Sequence, residues 1–97
     1  MNIEENSMGD AIRKVGSRLI QVHSNENNRG TPGAGHVPWK EIAQALNDIN
    51  FDGVLVIESF TSKVKSIARA AAIWRPLAPS QDALAADGVV FLRELLK

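Results

Sequence analysis

The chain has 97 residues, 44% of them apolar and 23% charged, with Lys plus Arg and Asp plus Glu balanced at 11 each. That length is one domain at most, residues 1–97, and the charge balance argues against nucleic-acid binding as its main work. With no cysteine there is neither disulfide nor thiolate chemistry. No apolar run approaches the ~18 residues of a membrane span, and no leader pattern opens the chain, so a cytoplasmic protein is expected.

Taken in order, Met1 to Asn6 reads as a polar lead-in. Ser7 is placed to cap a helix carrying Met8, Ala11, Ile12 and Val15, and Gly16 stops it. Arg18 to His23 predicts a short strand whose apolar run suits burial on both faces. The stretch from Ser24 to Trp39 holds three glycines and two prolines, which predicts a long structured loop. Pro38 suits the first turn of the next helix, where Ile42, Ala45, Leu46 and Ile49 form one apolar stripe. Asn50-Phe-Asp-Gly53 is turn chemistry, and Val54 to Ile57 is the clearest strand.

A helix is predicted from about Ser62 to Trp74, broken by Pro76 and Pro79. Ser80 caps a last helix through Leu84, Phe91, Leu92 and Leu95, with Gly88 as a weak point inside it. The order α-β-α-β-α-α indicates an α/β fold of two βα units on a parallel sheet.

Parallel neighbouring strands bring His23 and Glu58 to one end of the sheet. An imidazole and a carboxylate there can ligate Mn²⁺, Mg²⁺ or Co²⁺, and the carboxylate can exchange a substrate proton. The alternative is a strand-end His bonded to the loop and a Glu capping the next helix. Arg29 can fork onto ligand hydroxyls or oxyanions, or pair at the surface with Glu26. Gly30-Thr-Pro-Gly-Ala-Gly35 suggests a phosphate cradle but lacks the P-loop ending, so turn-making is its reading. His36, Trp39 and Trp74 read as packing residues.

The run His23-x-x-Glu26-x-Asn28-Arg29-x-x-Pro32-Gly33-x-Gly35-x-x-Pro38-Trp39-x-Glu41-Ile42 resembles the D-tagatose/D-psicose 3-epimerase family of ketose 3-epimerases, within the xylose-isomerase-like TIM barrels. Phe51-Asp-Gly-Val-Leu-Val-Ile-Glu58-Ser-Phe60 looks like that family's eighth strand. Trp74–Pro79 and Asp87–Arg93 look like its closing helical segment, and Met1–Glu5 is similar to the stretch after its sixth strand. The resemblance covers essentially the whole chain. It implies the C-terminal two βα units and closing helices of a (β/α)8 barrel, incomplete as given.

By the same resemblance His23 matches the metal-binding His of strand seven. Glu58 matches the strand-eight Glu that binds the metal, Mn²⁺ by preference, and serves as acid/base. Arg29 matches the Arg that holds the ketose near its carbonyl and C3 hydroxyl, and Phe60 an apolar residue near the site. In that family one carboxylate removes the C3 proton and another returns a proton to the opposite face. The second carboxylate, a Glu of strand four, and an Asp ligand of strand six would precede Met1. The resemblance therefore implies no turnover by the chain alone, and either self-association or pairing with a complementary barrel fragment. The other readings are a non-catalytic interaction remnant and a hydroxypyruvate-isomerase-like sugar isomerase, which the Arg29 loop disfavours.

Overall fold

A computed structural model describes residues 4–97. The likeness of Met1–Glu5 to a stretch beyond a sixth strand falls in part on residues 1–3, outside the described ones. Helix α1, Met8–Val15, begins where Ser7 accepts the N–H of Asp10 and ends at Gly16, whose φ of 59° needs a residue without Cβ. A 3-10 turn over Gly16–Arg18 then delays strand β1 to Gln21–His23, three residues later than the apolar run predicts.

Helix α2, Trp39–Asp48, crosses over to strand β2, Val54–Val56, and the two strands pair in parallel. Gln21 stands opposite Val54, Val22 opposite Leu55 and His23 opposite Val56. Gly53 is required at the entry to β2, because a Cβ there would collide with the carbonyl oxygen of Ile20. The helices α1 and α2 are joined at their polar ends. The Glu41 carboxylate accepts the Ser7 hydroxyl and the Gly9 N–H, and Arg13 Nε lies 2.8 Å from Asp48 Oδ2. Those two donors hold the Glu41 carboxyl below its ordinary range, the hydroxyl most of all.

Ile12, Trp39, Ile42, Ala45, Leu46 and Leu92 form the buried core, against which Val22, Leu55 and Ile57 pack from the sheet. The period of two therefore places Val22 and Leu55 toward the helices and leaves Gln21, His23 and Val54 on the open face. Ile20 and Val54 are 78% and 57% exposed, a sheet with one uncovered side.

The short helix α3, Lys65–Ala70, occupies less than the predicted Ser62–Trp74. Val64 before it is extended and offers no side-chain cap, and Ala72 beyond it turns left-handed at φ 57°. Trp74, expected to pack, is 75% exposed. Helix α4, Gln81–Leu95, starts where Ser80 accepts the N–H of Ala83. It closes the layer through Leu84, Gly88 and Leu92, spaced four apart on one face. Gly88 is a contact point rather than a weak point: a Cβ there would lie 2.8 Å from Ile57 Cδ1 and 3.0 Å from Pro32 Cδ. Phe91 meets Trp39 edge to face, with ring centroids 5.7 Å apart.

Candidate metal and acid–base site

His23 ends β1, and Glu58 lies two residues past the end of β2, so parallel pairing delivers both to one edge of the open face. His23 Nδ1 is 2.7 Å from Glu58 Oε1, and His23 Nε2 is 2.6 Å from the Gln21 amide nitrogen. With that amide donating, Nε2 accepts and Nδ1 carries the hydrogen that Glu58 accepts. Arg29 Nη1 approaches Glu58 Oε2 at 3.5 Å, and its guanidinium sits 5.2 Å from the centroid of the Phe60 ring. The three polar side chains predicted from the sequence are thus together, between 30% and 51% exposed, facing solvent on the uncovered side.

Arg29 does not pair with the Glu26 carboxylate. Its backbone N–H donates to the Glu26 carbonyl at 2.9 Å in a left-handed turn, φ 65°, while the guanidinium goes to Glu58. Glu26 instead organises the loop. Only 4% exposed, its carboxylate accepts the N–H of Gly33 at 2.8 Å, the N–H of Val37 at 3.2 Å and the Trp39 indole N–H at 2.6 Å. Burial pushes this carboxyl up, but the indole and the backbone N–H groups of Val37, Gly33 and Gly35 outweigh it and hold the carboxyl below its ordinary range. The glycine run that looks like a phosphate cradle therefore does wrap an anion, one the chain carries itself. At Gly35 any Cβ would strike the Glu26 and Asn27 side chains.

Asn25 is a further residue that the sequence reading passes over. Its side chain bonds both the N–H and the carbonyl of Glu58. Neither role has a local sequence signature. An acidic residue closely followed by a Gly-rich turn and a Trp is the nearest thing to one for Glu26. His36 is exposed, its N–H bonded to Asn27 Oδ1 at 3.1 Å, and Trp39 is buried as expected.

The donor chemistry at His23 and Glu58 suits a divalent cation. Two ligands on one ion at about 2.1 Å lie about 3 Å apart, close to the spacing already present, and a nitrogen–oxygen donor set accepts Mn²⁺ or Mg²⁺. Among the described residues no group of three or more His, Cys, Asp or Glu gathers to hold a metal. No helix of the described residues is long and apolar enough to cross a membrane.

Comparison with known proteins gives a coherent result. A family model described as a xylose isomerase-like TIM barrel matches residues 1–95. The chain is 48% identical over 89 residues to D-psicose 3-epimerase of Enterocloster bolteae, covering 90% of this chain and 30% of that protein. It is 45% identical over 82 residues to the D-psicose 3-epimerase of Agrobacterium fabrum, covering 84% of this chain and 28% of the other. Among solved structures, an L-ribulose 3-epimerase superposes with a TM-score of 0.89 at 36% identity, over 99% of this chain and 33% of that one. A D-psicose 3-epimerase of Clostridium cellulolyticum H10, solved with D-tagatose, gives 0.84 at 37% identity, over 100% of this chain and 35% of that one. The chain spans about a third of the length of the relatives it matches.

Proposed function

Because this chain belongs to the xylose isomerase-like TIM barrel family, we propose that it supplies part of the active site of a metal-dependent ketose 3-epimerase working in the cytoplasm. The observation that carries this reading is the convergence of His23, Glu58 and Arg29 at the ends of two adjacent parallel strands. With the imidazole hydrogen moved from Nδ1 to Nε2 and the Gln21 amide turned to accept it, His23 Nδ1 and Glu58 Oε1 would hold a divalent cation, Mn²⁺ by preference. When bound, such an ion supplies the positive charge that polarises a ketose carbonyl and eases loss of the C3 proton.

The rest belongs to the chain's own residues. Arg29, steadied over Phe60, binds the carbonyl and C3 hydroxyl oxygens of the ketose. A Glu58 carboxylate oxygen takes the proton as the C3–H bond breaks, the pair from that bond forms the C2–C3 double bond, and the carbonyl π pair moves onto the C2 oxygen. Epimerisation requires a proton to return to C3 on the opposite face, from a second acid. Among the described residues no third His, Cys, Asp or Glu joins His23 and Glu58, and the second acid and the remaining ligands are proposed to come from further barrel strands. Alone, the chain is expected to show no turnover.

The metal reading is tested by thermal melts of the chain with and without millimolar Mn²⁺. Binding to the folded state raises the melting temperature by mass action, and Glu58→Ala should abolish that rise. A wild-type melt indifferent to Mn²⁺ removes the support for a His23–Glu58 half-site.

The uncovered sheet favours a companion reading. A two-stranded sheet with exposed Ile20 and Val54 leaves apolar surface and strand edges open for further barrel strands. We expect the chain to self-associate or to take up a complementary barrel segment. Sedimentation velocity across a concentration series should show species larger than 10.5 kDa. A single monomeric boundary at every concentration, with cooperative unfolding, would count against it.

A further inference from the structure

We infer that Asn25 is a positioning residue for Glu58, an inference that rests on the role given to Glu58 above. The sheet explains why one is needed. The last backbone rung between the strands is the Ser24 N–H donating to the Val56 carbonyl at 2.7 Å. Beyond it β1 turns into the loop, while the chain past the end of β2 continues to Glu58, which has lost its backbone neighbour.

Asn25 supplies the missing rung with its side chain. Nδ2 donates to the Glu58 carbonyl oxygen at 2.6 Å, and Oδ1 accepts the Glu58 N–H at 2.8 Å. Both backbone groups of Glu58 are thereby fixed to the same loop that carries Arg29, across 33 positions of sequence. The carboxylate then starts from a fixed origin, in reach of His23 at 2.7 Å and Arg29 at 3.5 Å.

The residue type is specific to the task. A carboxamide carries one donor and one acceptor side by side, matching the C=O and N–H of a single residue. Asp would keep the bond to the N–H but set a negative oxygen against the carbonyl. Gly and Ala would leave both groups to water. Groups that orient a metal ligand or an acid/base typically alter affinity or activity when removed without touching the ion or the substrate.

The test is NMR on the full 97-residue chain, following backbone amide exchange and the His23 imidazole nitrogens in the wild type, Asn25→Ala and Asn25→Asp. In the wild type the Glu58 N–H should be protected. In Asn25→Ala its exchange should quicken about tenfold, the loss of one ordinary hydrogen bond. The His23 nitrogen signals should shift together with it, while the Ser24 N–H keeps its protection. Asn25→Asp should fall between, and it carries the comparison if Asn25→Ala does not fold.

A Glu58 N–H that exchanges freely in the wild type overturns the clamp. So does a variant in which Ser24 and Glu58 quicken equally with His23 unmoved, for that is general loosening of the loop. Added Mn²⁺ separates this from the function proposed above. Line broadening at His23 and Glu58 that demands about tenfold more Mn²⁺ in Asn25→Ala supports positioning. No broadening in the wild type defeats the metal half-site, while the exchange pattern still decides the role of Asn25.

Discussion

Replacing Glu26 with Ala should lower the stability of the chain by about 3 kcal/mol, because it strips a buried acceptor from four N–H donors at once, those of Asn27, Gly33 and Val37 and the Trp39 indole. The buried indole donor, once orphaned, carries a desolvation cost of about 1–3 kcal/mol, the part-buried backbone N–H groups carry less, and a small domain has only about 5–15 kcal/mol in total. One of these donors is the indole of Trp39, itself in the core, so damage to the loop reaches the packing of α2 and α4. Glu26→Gln is the sharper variant. It keeps the volume and one acceptor oxygen but turns an NH₂ group toward N–H groups already facing inward.

The pH dependence follows from the same bonds. The folded Glu26 carboxyl lies below its ordinary value of 4.5, so folding favours its charged form. The stability it contributes is fully present above that value and is lost as pH falls through the lower folded value. Urea titrations from pH 7 downward should show the wild type losing stability below about pH 4.5, with a flatter profile in Glu26→Gln. Equal slopes for the two proteins, or a Glu26→Ala midpoint unchanged from wild type, would refute the central role of this carboxylate.

What could be read from the sequence divides along a physical line. Features set by neighbours in sequence were readable: the caps at Ser7 and Ser80, the stop at Gly16, the α2 stripe and two strands of parallel order. The convergence of His23 and Glu58 also followed, because parallel pairing alone dictates it. Features that depend on side chains reaching across the fold were not readable. Asn25 meets Glu58 across 33 positions, and Glu26 meets Trp39 across 13. Gly88 read as a weak helical residue because nothing local reports that Ile57 and Pro32 press on it. Helix α3 was overestimated because its apolar spacing continues past Ala70, whereas the left-handed turn at Ala72 stops it.

The largest effect on chemistry is expected at Glu58, in a protein with a complete site. Such a protein can be built by substituting this chain for the matching segment of the Enterocloster bolteae D-psicose 3-epimerase, to which it is 48% identical over an alignment of 89 residues. The chimera should epimerise a ketohexose at C3, whereas the isolated chain should not. In that setting Glu58→Gln keeps the side-chain volume and a neutral oxygen beside His23 and Arg29, so the local geometry is disturbed little. What it removes is the ability to hold the C3 proton and the negative charge offered to a cation. General acid–base groups contribute about 10²–10⁴-fold, so turnover should fall at least that far, with a melting temperature near that of the unsubstituted chimera. Exchange of the C3 hydrogen with deuterated solvent provides a second reading. It should vanish for whichever C3 epimer presents its hydrogen to Glu58 and fall less for the other, whose hydrogen faces away from Glu58. If Glu58→Gln loses the two exchanges equally while keeping the fold and the metal, Glu58 serves as a ligand and not as the base, and another group takes the proton.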